Sequence, residues 1–325
     1  MGNTTGRRSL AAVAVAATLT ALAGAPAAAG DGRTVAVVTG AQLKAALQAA
    51  APGDTIRLAD GVYTGNFKAT AAARADARIT LTGSSRAVLR TSTGGGNVLH
   101  LNGASYWTVQ GVTLTHAQKG MMIDAAAGVV VDGVTVHDLT MEGVHFRTSS
   151  TDGVLRDSWI HDTGQDGRGM GEGVYVGTAN TLSDRSDRVQ ILGNTFGPWV
   201  RGEAVDLKEG TTGGRVADNT FDGTGLTGRN FDDSWVDVKG NDYVIEGNRG
   251  VNTTNNGFEV HTQVPGWGCG TVFRGNHADL NGATGSGRYA IHAIDHSAAC
   301  PTRVTPDNTV TGGRGLVNPG VPVTP

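Results

Sequence analysis

The sequence predicts an all-β fold, a single elongated β-solenoid entered through a short helix. Three observations carry this. Glycine makes up 50 of 325 residues, against about 7% in average usage, and it shows no three-residue period; instead it punctuates short apolar runs. Taking Gly111, Gly133, Asp157, Gly193, Asp218, Gly247 and Gly275 as equivalent points of those runs, the spacings are 22, 24, 36, 25, 29 and 28 residues. Repeats of roughly 20 to 50 residues mark solenoids, and with no helical pattern between the anchors the coils must be built of strands. The third observation is a second set of strands between the anchors: EGVHFRT (142–148), EGVYVGT (172–178), EAVDLKE (203–209), SWVDVKG (234–240), NGFEVHT (256–262) and, more weakly, RYAIHA (288–293). They alternate strictly.

The elements follow in order. The first 29 residues have a basic start at Arg7 and Arg8, an apolar run from Leu10 to Leu22 and small residues at Ala27 to Ala29, so they read as a secretory signal peptide. Residues 30–325 then form one β-solenoid domain, secreted because nothing later is apolar and long enough to cross a bilayer. AQLKAALQAA (41–50) is helical in pattern, with Leu43 and Leu47 on one face. A solenoid end exposes unpaired edge groups, so a cap is physically required there. In the coils, Val144, Phe146, Val174, Val176, Val205, Leu207, Val236, Val238, Phe258 and Val260 share the inward side. Asn194, Asn219, Asn248 and Asn276 follow their anchors and predict a stacked asparagine ladder at a turn. In an oxidising compartment Cys269 and Cys300 read as one disulfide, since a two-Cys metal site would need more ligands close by. The Pro- and Gly-rich segment from about 302 is expected as a tail along or over the far end.

Only 17% of the residues are charged, yet the outward columns stack them. One column reads His145, Tyr175, Asp206, Asp237, Glu259; the next reads Arg147, Gly177, Lys208, Lys239, His261. Neighbouring strands lie about 4.8 Å apart, so like charges here need compensation from each other, a cation or a charged ligand. Glu142, Glu172 and Glu203 add acids at the corner. A flat extended face of this kind suits a polymer.

The coil length, the Asn ladder, the opening GDTIRLADGVYTG (53–65) with ARITLTG (77–83) and GASYWTVQGVTL (103–114), and RGEAVDLKEG followed by DNTF (218–221) resemble the right-handed parallel β-helix of the pectate-lyase-like superfamily. Within it the pattern is nearest the chondroitinase B and alginate lyase group. The resemblance implies a helix that covers the first coil and a lyase that cleaves an acidic, uronic acid-containing polysaccharide by β-elimination. It matches Glu203 and Asp206 to the calcium-side acids and Lys208 to the base, with Lys239 or Arg229 standing in for the arginine of the next coil. The expected metal set is Glu172, Glu203, Asp206, Asp237 and Glu259, for Ca2+. The expected catalytic set is Lys208, Lys239, Arg147, His145 and His261. Tyr175, Arg168 in the enlarged loop 161–173, Arg229, and Trp235, read as projecting outward beside Asp237, are expected to bind substrate.

Two other functions use the same face. A β-helical hydrolase would pair Asp206 with Asp237, near the roughly 5 Å of retaining enzymes, or with Glu259 at the longer inverting distance. A non-catalytic glycan-binding protein would need only the stacked charges and exposed indoles. The formal charge of -3 argues against nucleic acid as a partner. The expected partner is an extended anionic polysaccharide, bound by a monomer with no membrane contact. His292, Asp295 and His296 read as structural.

Overall fold

The computed structural model describes residues 1–2 and 32–325, so the expected signal peptide falls almost wholly outside the described residues. Every named strand lies in one of three parallel sheets of eleven, ten and ten strands, and each successive coil adds one strand to each sheet. No helix among the described residues is long and apolar enough to cross a membrane. The coils turn where the anchors stand. Gly111, Gly133, Asp157, Gly193, Asp218, Gly247 and Gly275 all have φ between 51 and 75°, the left-handed region that glycine enters freely and aspartate tolerates better than most residues. This is why aspartate substitutes for glycine at two of these turns.

Helix Gly40–Gln48 caps the first coil, with Thr39 accepting from the Gln42 backbone N–H and with Leu43 and Leu47 buried against the core. The asparagine ladder forms as expected. Asn219 Oδ1 accepts from the backbone N–H of Asn194 at 2.9 Å, and Asn219 Nδ2 donates to Ile191 O at 2.9 Å and Asn248 Oδ1 at 3.0 Å. Asn308 adds a rung beyond Asn276, and Ser158 takes over from Asn194 at the other end. The disulfide Cys269–Cys300 is present. Residues beyond Thr302, expected as a tail, instead build a last coil, with Arg303–Val304, Thr309–Thr311 and Gly315–Val317 each joining one sheet.

Trp235 is the clearest correction. It is 1% exposed, stacks on Phe221 at 6.4 Å and donates from Nε1 to Val251 O. It precedes the strand, at a corner where strict alternation does not hold. Phe196 and Phe221 stack in successive coils, and the next coil has Gly250 at that register. A Cβ on Gly250 would lie 2.4 Å from the indole. Trp235 therefore fills the space of a missing core phenylalanine.

Candidate functional site

One of the two ten-stranded sheets carries the site, and its register sets the charged column. His145, Tyr175, Asp206, Asp237, Glu259 and His292 are successive partners across strands Val144–Arg147, Val174–Val176, Val205–Leu207, Val236–Val238, Phe258–Val260 and Tyr289–Ala293. The alternating valines, leucine and phenylalanines are buried inward, so these polar residues face out. His292, read as structural, joins the column through Glu259 Oε1 at 3.5 Å.

A cleft of about 290 Å³ opens over this sheet, lined by Glu203, Asp206, Lys208, Asp237, Lys239 and His261 together with Glu209 and several loop residues. Its floor is an ion-pair lattice. Lys208 Nζ lies 2.5 Å from Asp206 Oδ2, and Lys239 Nζ lies 3.1 Å from Asp206 Oδ1 while also donating to Asp237 Oδ2. Burial would raise the Asp206 carboxyl, but Lys239 and Lys208 outweigh it and hold it below the usual range. For Lys239, burial works against the charged form, yet Asp206, Asp237 and Glu203 push it well above the lysine range. Lys239 is a fixed cation.

Lys208 also lies 4.9 Å from the centre of the Tyr175 ring. Burial, then the charges of Asp206 and Glu172, raise the Tyr175 phenol above its ordinary value. His145 packs edge-on to that ring at 4.5 Å and donates from Nε2 to Gly177 O. His261 Nε2 bonds Glu259 Oε2 at 3.1 Å; burial opposes its protonation, and Asp237 with Glu259 overcome this and raise it.

Two acid clusters bring ligand atoms within 4.8 Å of one another: Glu172, Glu203 and Asp206, and Asp237, Glu259 and His261. The second is largely satisfied. Asn256 and His261 take the Glu259 oxygens and Lys239 takes one of Asp237, leaving only Asp237 Oδ1 buried without a partner. In the first, Asp206 is held by Lys208 and Lys239, and the two glutamates are not held in this way. Among the described residues no side chain hydrogen-bonds or ion-pairs with the carboxyl of Glu172 or Glu203, although both are buried. Burial and then Asp206 raise the Glu172 carboxyl to about 8, and the same two causes push Glu203 well above its range. Two buried glutamates without a side-chain partner, beside Asp206, form an all-oxygen donor set that fits a hard divalent cation.

The other expected residues stand apart from the cleft. Arg147 is tied to Asp124 at 2.6 Å, two coils from Lys208. Arg168 is exposed and paired with Asp166 at 2.7 Å. Arg229 points away, donating to Gly167 O at 2.6 Å, but its neighbours Asn230 and Phe231 reach the cleft. Sequence reasoning missed these two, as well as Asn180, Gln263 and the wall role of Glu209. Glu209 is buried and accepts from the Asn180 backbone N–H, with Oε2 left unpartnered. Only Glu209 carried a signal, as one more acid in GEAVDLKEG.

Fold and cleft together define a solenoid with a polar, acid-floored groove across one sheet, the architecture of carbohydrate-active β-helices. The family model described as a right handed beta helix region matches residues 97–316, and the chain belongs to this family. It is similar to an alginate lyase from Paenibacillus sp. str. FPU-7, with 39% identity over 89% of this chain and 99% of that one and a TM-score of 0.82. The resemblance to the alginate lyase group is thereby borne out. Pectate lyase Pel9A shares the fold at 14% identity, covering 88% of this chain and 77% of that one with a TM-score of 0.65. The catalytic unit of a GH87 alpha-1,3-glucanase from Streptomyces thermodiastaticus strain HF3-3 does so at 13%, covering 93% and 70% with a TM-score of 0.52. No curated protein matches the chain.

Proposed function

We propose that the protein is a secreted polysaccharide lyase that cleaves a uronic-acid polymer of the alginate kind by β-elimination. The observation that carries this is the Tyr175–Lys208 pair beside an acid-floored cleft, in a chain similar over its length to an alginate lyase. Elimination needs three things. The sugar carboxylate must be neutralised, the C5 proton removed and the leaving glycosidic oxygen protonated.

The resemblance matches Lys208 to the base; we give it the donor role instead. Lys208 is an ammonium held by Asp206 at 2.5 Å, which suits a proton donor. Tyr175, as phenolate, takes the C5 proton; the C4–O4 bond breaks, a C4–C5 double bond forms, and Lys208 protonates the departing oxygen. The Lys208 amine then recovers its proton from the Tyr175 phenol, restoring both groups. Lys239 is locked between Asp206 and Asp237, so it holds the floor in place. His261 lines the cleft as well, its imidazole raised by Asp237 and Glu259 against burial, and can meet the polymer's carboxylates. A divalent ion, calcium by its preference for oxygen, would be held by Glu172, Glu203 and Asp206. Such an ion would supply charge to neutralise the substrate carboxylate, and held by these residues it would offset Asp206 and Glu172, which add to burial in keeping the Tyr175 proton on.

The test is ultraviolet absorbance of the unsaturated product on alginate, polygalacturonate, glucuronan and glycosaminoglycans. A rise on alginate is expected, lowered about 100-fold or more in Lys208→Ala and Tyr175→Phe. New reducing ends without absorbance would mean hydrolysis instead and would sink the reading.

A further inference from the structure

The cleft has an apolar group at its mouth that the proposed chemistry does not use. Phe231 lines the cleft alongside Asn230 and Lys208 and is 79% exposed, more than any other large hydrophobic side chain from residue 32 onward. Its backbone is unfavourable as well. Asn230 and Phe231 have φ of 50 and 66°, a region that a bulky side chain rarely adopts.

The loop is nonetheless fixed from both sides. Arg229 Nη1 donates to Gly167 O and Asn230 Nδ2 to Gly169 O at 3.0 Å, joining it to the enlarged loop 161–173. Asp232 is fully buried and accepts from the Thr227 hydroxyl, and the Asp233 N–H closes back on Phe231 O at 2.8 Å. Folding thus holds a strained residue in place only to show its ring to water. Strain of this kind persists where a ligand makes use of it.

We infer that Phe231 is a positioning residue for the polymer, its ring packing on the C–H face of the sugar beside the one that reacts. The identity of that polymer rests on the lyase reading. The chemistry suits the place: the floor is acidic and every uronate carries a charge, so a stacking contact attracts the chain without adding to the electrostatic conflict. It also sets the register of the chain, since a flat ring accepts a pyranose face in few orientations.

The experiment compares the full chain with Phe231→Ala, Phe231→Trp and Phe231→Gly, measuring alginate lyase kinetics and calorimetric binding of alginate. In Phe231→Ala, KM should rise and binding weaken about tenfold, with kcat within about twofold of wild type. Phe231→Trp should restore both to within about twofold. Phe231→Gly should bind as poorly as Phe231→Ala yet melt at or above the wild-type temperature, because glycine is at ease at this φ. That separates a lost contact from a damaged fold. Unchanged KM and binding in the Ala and Gly variants would overturn the inference, as would a Trp variant no better than Ala. Binding that depends on Phe231 in a protein that never yields unsaturated ends would leave the platform standing and remove the lyase reading.

Discussion

Glu142 and Glu172 are the same residue type at the same corner of neighbouring coils, and their carboxyls move in opposite directions. Burial raises both. For Glu142 it is overcome by His145, whose Nδ1 lies 3.6 Å away, and by Lys119 at 2.9 Å, which together hold it at about 2. Glu172 has no such partner and sits at about 8. Charge at this corner is therefore decided by the neighbour, not by the column. Because the folded Glu142 value lies below the ordinary 4.5, its contribution to stability is present above pH ~4.5 and lost as the pH falls toward 2. By linkage the full contribution is about 3 kcal/mol. Denaturant unfolding of wild type and Glu142→Gln across this range should show a gap of that order at pH 6 that closes near pH 2. A gap that does not change with pH would refute this assignment.

At the scale of the element, the coil is held by its turn as much as by its core. Asn219 is buried, uses both ends of its amide, and links three coils. Asn219→Ala leaves buried backbone and amide groups without partners and should cost about 3 kcal/mol, read as a lower denaturant midpoint at unchanged slope. A loss under about 1 kcal/mol would mean that water replaces the ladder. Such features were legible in the sequence because they repeat. Alternation fixed which side of each strand faces out, so Tyr175, Asp206, Lys208 and Lys239 could be placed on one face without coordinates. Where the repeat breaks, legibility ends. Trp235 stands one residue before its strand and is governed by the gap that Gly250 leaves, a relation between residues that no local pattern encodes. Asn230, Phe231, Asn180 and Gln263 reach the cleft from loops of irregular length, whose paths depend on contacts across coils such as Asn230 to Gly169. The arginines failed for a related reason. Arg147 and Arg168 each found an acid closer than the cleft.

For the whole molecule the question is why a chain that binds an anion should line its cleft with acids. Glu172, Glu203, Asp206 and Asp237 face only Lys208 and Lys239 as nearby full cations, and Glu203 is pushed up by burial and by Asp206. The excess raises the Glu172 and Glu203 carboxyls and so favours their protonated forms, and a divalent cation in their place would turn the same cluster into a site for a carboxylate. Because each coil of a solenoid contacts mainly its neighbours, the cluster can carry this conflict without disturbing distant coils. An ion that binds only the folded cluster stabilises by mass action, about 2.7 kcal/mol at a hundredfold excess over its Kd, which for a chain this long is a rise of roughly 5 °C in Tm. Glu203→Gln should match wild type in chelator, since it mimics the protonated form, and should lose most of the rise with calcium. Melting both proteins with calcium and with chelator decides the point without reference to activity. A wild-type Tm indifferent to divalent ions, or a Glu203→Gln variant with the full response, would show that protons alone balance the cleft and that Lys208, Lys239 and His261 must meet the substrate carboxylate themselves.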